Sequence, residues 1–99
     1  MFTKGTVALS KRGHDSGTLC IVIDVLGGDY VTIVDGKRRK IQKPKKKKVR
    51  HLKRVGNVSA LIEEREKGGL PLTDNFIRTA LRPYIDEYLE GKKCQKTTL

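Results

Sequence analysis

The sequence predicts a mainly β fold with C-terminal α structure: a small five-stranded barrel followed by one or two helices. Three observations predict it. The first half of the chain carries short runs rich in β-branched residues, separated by turns built on Gly and Asp. The second half shifts to helical period, with apolar residues recurring at i, i+1, i+4 and i+5 from Phe76 onward. The change of period falls near residue 57, dividing the chain into a barrel over 1–56, a helical appendage over 57–91 and a flexible tail over 92–99.

The elements follow in order. Residues 6–10 alternate, with Val7 and Leu9 on one face, as in a half-buried strand. A polar loop over 11–17 carries Gly13 and Gly17. Residues 19–25 are apolar on both faces, as in a central strand, and Gly27-Gly28-Asp29 turns the chain into a third strand at 30–34. Asp35-Gly36 is a two-residue hairpin signal, because a type I′ turn needs positive φ at both central positions; residues 38–42 are the expected return strand. Residues 49–55 are expected as a fifth strand with Leu52 turned inward. Between these two lies Lys43-Pro44-Lys45-Lys46-Lys47-Lys48, where a missing backbone donor and adjacent ammonium groups predict an exposed basic loop over 43–48. Five strands are too few for a sandwich and suit a strongly bent barrel of the SH3-like kind.

In the second half, Val58, Leu61 and Ile62 fit a helix turn with Asn57 as cap and Gly68-Gly69 as stop. Phe76, Ile77, Ala80, Leu81, Tyr84, Ile85, Tyr88 and Leu89 form the second apolar stripe, capped by Thr73 or Asp74 and stopped by Gly91. Pro83 lies inside it and predicts either a kinked helix or two abutting ones.

At 99 residues with 36% apolar content, no Trp and five aromatic residues, the chain supports one modest and largely aliphatic core. No apolar run approaches the roughly 20 residues of a membrane span, and the N-terminus does not read as a signal peptide, so a cytoplasmic location is expected. Cys20 and Cys94 lie far apart without metal-ligand spacing to His14 or His51, so no metal site, cofactor or disulfide framework is expected.

The charge is the most informative feature. Twelve bases fall between residues 37 and 54: Lys37, Arg38, Arg39, Lys40, Lys43, Lys45, Lys46, Lys47, Lys48, Arg50, Lys53 and Arg54. That stretch holds no acid, and the rest of the chain holds ten of the 22 bases and all eleven acids. The whole positive excess is therefore concentrated in one segment, as in a surface built for a polyanion. Bases on neighbouring strands lie about 5 Å apart, near phosphate spacing. The aromatics offer little stacking: Phe76, Tyr84 and Tyr88 sit on the helical stripe, and Tyr30 stands alone beside a turn. Recognition is expected to run through phosphates and shape.

Catalytic patterns are absent. His14-Asp15-Ser16 holds three triad residue types, but adjacent loop residues cannot form the nucleophile–base–orienter chain. The acids of the helical half fall on polar faces, and no phosphate-binding glycine motif appears. No enzymatic activity and no small-molecule substrate are expected.

Residues 5–25, GTVALSKRGHDSGTLCIVIDV, resemble the KOW motif, and 30–36 resemble the strand and turn that follow it. The match covers roughly residues 4–55 and is similar to the single-KOW large-subunit ribosomal proteins of archaea and eukaryotes and to small bacterial KOW-domain proteins. Val49-Arg50-His51-Leu52 also resembles the closing strand of the ribosomal proteins. The resemblance implies an SH3-like barrel whose loop after the first strand contacts RNA, which makes Lys11, Arg12, Gly13, His14 and Gly17 candidate RNA-binding positions. The helical half and the dense 45–48 run depart from the ribosomal pattern.

The expected function is binding of structured RNA, ribosomal RNA foremost, by a ribosome-associated or assembly-linked protein. The alternatives are a KOW-type adaptor that meets a protein partner through the helix at 76–89, and a DNA-binding protein.

Overall fold

The computed structural model describes residues 2–11 and 17–87. Five strands, β1 (Thr6–Ser10), β2 (Leu19–Leu26), β3 (Tyr30–Val34), β4 (Lys45–Lys48) and β5 (Leu52–Asn57), form one antiparallel sheet in the order β4-β3-β2-β1-β5. A single 3₁₀ turn, Val49–His51, joins β4 to β5, and two helices follow, α1 (Ser59–Lys67) and α2 (Asp74–Ile85).

The alternation of side chains across the sheet creates two apolar faces. Val7, Leu19, Ile21 and Val34 point to one face, where Val58, Ile62, Ile77, Ala80 and Leu81 from the helical half complete a buried cluster. Ala8, Cys20, Val22, Val31, Ile33 and Leu52 form a second cluster on the opposite face, with Phe2 and Val49 packed against it. The expected half-buried β1 is therefore buried on both sides: Thr6, Ala8 and Ser10 are enclosed as well as Val7.

The second cluster is enclosed by the sheet's own curvature. It joins Val31 and Ile33 of β3 to Leu52 of β5, two strands that are not neighbours in the sheet. In a flat sheet, edge strands four spacings apart would stand about 19 Å from one another. The link from Lys48 to Leu52 is four Cα steps, at most about 15 Å even when fully extended, and its turn geometry shortens it further. Two register shifts supply the bend: Ile23 is the extra residue of β2 opposite β3, and Val55 the extra residue of β5 opposite β1. The edges converge, but the described residues contain no β4–β5 ladder, so the sheet is curled and not closed into a barrel.

Four expectations are corrected. Residues 38–42 are not a return strand; they belong to an irregular segment running from Asp35 to Pro44. Among Asp35 and Gly36, only Gly36 has positive φ (80°), so no type I′ turn forms there. The paired positive values occur instead at Gly28 (70°) and Asp29 (67°), in the β2–β3 turn. The return strand is Lys45–Lys48, inside the segment expected as an exposed loop, with Tyr30 opposite Lys48, Val31 opposite Lys47, Thr32 opposite Lys46 and Ile33 opposite Lys45. Strand geometry relieves the repulsion that argued for a loop, because successive ammonium groups point to opposite faces. Pro44 precedes the strand, where its missing N–H breaks no ladder. The fifth strand begins at Leu52 and not at Val49, with Leu52 buried as expected.

The helices follow the sequence closely. The N-cap of α1 is Val58, which offers no side-chain acceptor, and not Asn57 as expected. Asn57, the last residue of β5, accepts from the Ser59 N–H through Oδ1 at 2.8 Å, and Gly69 (φ 73°) follows the end of the helix. Leu61, expected on the buried face, is 46% exposed. Thr73 caps α2, its Oγ1 accepting from the Phe76 N–H at 3.1 Å. Pro83 stays within α2 as its third-last residue, so the apolar stripe continues across it as one helix. Tyr84 packs over Gly56, where a Cβ would overlap the ring, and its hydroxyl donates to the Asn57 carbonyl at 3.3 Å. Tyr88, Leu89, Gly91 and the tail at 92–99 lie outside the described residues. Among the described residues, no helix is long and apolar enough to cross a membrane.

Candidate nucleic-acid interface

The basic segment follows the two converging edges of the curled sheet, β4 and β5, and its first part is an ordered loop. Asp35 Oδ1 accepts the backbone N–H of Lys37 at 2.8 Å and of Arg39 at 2.9 Å. The Arg39 carbonyl in turn accepts from the N–H groups of Asp35 and Gly36. The short polar side chain thus replaces a ladder and turns the chain sharply. Two contacts tie this loop to α2: the Ile41 N–H donates to Asp74 Oδ1 at 2.8 Å, and Arg78 Nη1 donates to the Gly36 carbonyl at 2.5 Å. Lys37, Arg38 and Lys40 are exposed on it, Arg39 is half-buried, and Lys43 is exposed just before β4.

On β4 the four lysines divide by face. Lys47 shares the buried face of Val31 and is only 9% exposed, its long apolar stem suited to cover the second cluster. Lys45 and Lys46 are exposed and Lys48 is half-buried. Lys46 and Lys48 lie on the same face as Tyr30, with their Nζ atoms 4.5 Å and 5.8 Å from its ring centroid. The ring attracts both ammonium groups through its quadrupole and keeps them on one side of the edge strand.

Past β4, the chain turns at Val49–His51, exposing Arg50, and β5 then presents Lys53 and Arg54, also exposed. The start of the loop after β1 meets the segment here. The Lys11 N–H donates to the His51 carbonyl at 2.8 Å, and the Gly17 N–H to the Ser10 carbonyl at 2.8 Å. Lys11 and Gly17 therefore stand at the same end of the sheet as His51 and Leu52. Gly17 holds φ at 84° with open space around its α-carbon, conformational freedom that only glycine has at low cost. Arg12, Gly13 and His14 lie outside the described residues.

The border so formed runs from the N-terminal end of α2, along β4, over the 3₁₀ turn and onto β5 and Lys11. Sequence reasoning located its charges but missed Tyr30 as their neighbour and Asp35 as the organiser of the loop. An Asp followed by residues that need backbone acceptors was the available signal for the second; for the first there was none, because the pairing of β3 with β4 is not local. Elsewhere, Lys4 Nζ meets Glu66 at 2.7 Å on the surface. Among the described residues, no group of three or more His, Cys, Asp or Glu side chains is placed to hold a metal ion.

Separate from the basic border, a cleft of about 740 Å³ opens between α2 and the sheet, with Leu19, Leu81, Pro83 and Ile85 among its walls. No protein-family model matches the chain, and no curated protein matches it.

Proposed function

We propose that this protein binds structured RNA through the basic border, and that it is ribosome-associated or linked to ribosome assembly, with a cytoplasmic location. The observation that carries the reading is the placement of the acid-free segment from Lys37 to Arg54: exposed bases stand on an ordered loop, on edge strand β4, on a tight turn and on the opposite edge strand β5, which the curl of the sheet brings toward β4. A solvated charge run would not need such scaffolding. Rigid presentation lowers the entropic cost of matching a phosphate track. The KOW resemblance supports the same reading, since the curled sheet with β5 beside β1 is what an SH3-like barrel requires, and Lys11 meets the border where the motif loop begins.

The test is sedimentation of native extract through a gradient at low and high salt, with and without ribonuclease. Co-migration with large ribosomal subunits that is lost on salt or nuclease treatment is the expected result. Migration at the top of the gradient under all conditions overturns the ribosomal reading.

A second reading, a protein-interaction adaptor, is favoured by the cleft between α2 and the sheet, whose exposed lining is largely apolar. Replacing Lys45, Lys46 and Lys48 with Glu separates the two: loss of function supports the nucleic-acid reading, and indifference supports the adaptor. Competition between RNA and DNA duplexes of equal length decides which nucleic acid is bound.

A further inference from the structure

We propose that Tyr30 and the cleft beside it receive one unpaired nucleotide, the base lying on the Tyr30 ring and its phosphate between Lys48 and Arg50. This inference rests on the RNA-binding reading and adds a base-contacting site to a surface that otherwise engages phosphates.

The geometry has three parts. Tyr30 opens β3 directly opposite Lys48 and is half-buried, and its ring is approached by cations and not enclosed in either apolar cluster. Phe76 and Tyr84, by contrast, pack against the helical core. Beside Tyr30 lies a cleft of about 510 Å³ lined by Gly28, Asp29, Tyr30, Lys48, Val49 and Arg50, within the roughly 300–1,000 Å³ of pockets that take small ligands. Its two walls are held together, because the Val49 N–H donates to the Asp29 carbonyl at 2.8 Å. On the turn side, Gly28 has no side chain and nothing within 4 Å of where one would project, so the backbone is open to a ligand.

The chemistry of these groups fits one nucleotide. An aromatic ring stacks on any base, and a lysine and an arginine bind phosphate. Lys46 stands over the ring at 4.5 Å. A base that takes its place leaves this ammonium free to pair with the incoming phosphate backbone, so one weak surface contact is exchanged for a stacked base and an ion pair. The nucleotide must be unpaired, because a base inside a duplex has both faces covered by its neighbours.

The experiment measures binding of the full chain to three RNA hairpins at fixed salt: one with a single bulged adenosine, one with an abasic residue at the bulge, and one fully paired. The wild-type protein is expected to bind the bulged adenosine about ten-fold more tightly than the abasic bulge, the scale of one stacked base. Tyr30→Ala is expected to bring the two together, and Tyr30→Phe to keep them apart. Equal wild-type affinity for the adenosine and abasic bulges overturns the proposal without any variant, and so does a preference that survives Tyr30→Ala. If all three hairpins bind alike and salt-sensitively, the RNA-binding reading stands and only the Tyr30 site falls; if none binds, both fall.

Discussion

Lys47 stands directly opposite Val31 in the β3–β4 ladder and shares its buried face, while Lys45 and Lys46 are exposed on the same strand. A run of four identical residues is therefore not four equivalent contacts. One lysine belongs to the fold, and its neighbours are available to a ligand.

The first prediction follows from that division. Lys47→Glu puts a shorter, charged side chain on a buried face and should cost about 2–4 kcal/mol, whereas Lys47→Met keeps the apolar stem and should stay within about 1 kcal/mol of wild type. Lys46→Glu should change stability by less than about 0.5 kcal/mol. Urea unfolding of the three variants measures this; equal stabilities for Lys47→Glu and Lys46→Glu would contradict the burial of Lys47.

A second prediction concerns salt. If six to eight bases of the border meet phosphates, log K should fall against log salt with a slope of about −4 to −7. Lys45→Ala and Lys53→Ala should each shallow the slope by about 1 without altering preference among RNAs. A flat salt response would remove phosphate contact as the basis of binding.

Asp35 gives a third. Asp35→Ala removes the acceptor for the Lys37 and Arg39 amides and should cost about 1–2 kcal/mol, with faster hydrogen exchange at those two positions. RNA affinity should fall although no base has been removed. Unchanged exchange at both amides would show that the loop holds its shape without the carboxylate.

Gly56 gives a fourth. A Cβ there would overlap the Tyr84 ring, so Gly56→Ala should cost about 1–3 kcal/mol by displacing α2 from β5. Tyr84→Phe keeps the ring and loses only two long, exposed hydrogen bonds to the Asn57 backbone, for about 1 kcal/mol or less. Thermal unfolding ranks them, and a more damaging Tyr84→Phe would reverse the assignment.

What the sequence determined by itself lay in short-range pattern, although the local Asp35-Gly36 signal did not yield its hairpin. Strands β1 to β3 were legible because their alternating or continuous apolar runs have a period that only a sheet can bury. Helix α2 was legible from its stripe and from Thr73, whose hydroxyl has a local partner in the Phe76 N–H. The concentration of charge between residues 37 and 54 was equally plain.

Only the tertiary structure decided where the fourth strand lies. Lysine has no strand preference, so Lys45–Lys48 is a strand because the open edge of Tyr30–Ile33 supplies its ladder, and a lysine-rich edge suits a border that must not pair with another sheet. The same long-range pairing buried Lys47 and set Lys46 and Lys48 over Tyr30. The curvature came from bulges at Ile23 and Val55, which no local pattern marks. Leu61 lacks its expected burial, at 46% exposed, while Val58 and Ile62 of the same expected face are buried. Periodicity and capping are properties of neighbours in the chain; pairing, curvature and burial depend on residues far apart in it, and these decide which charges face outward.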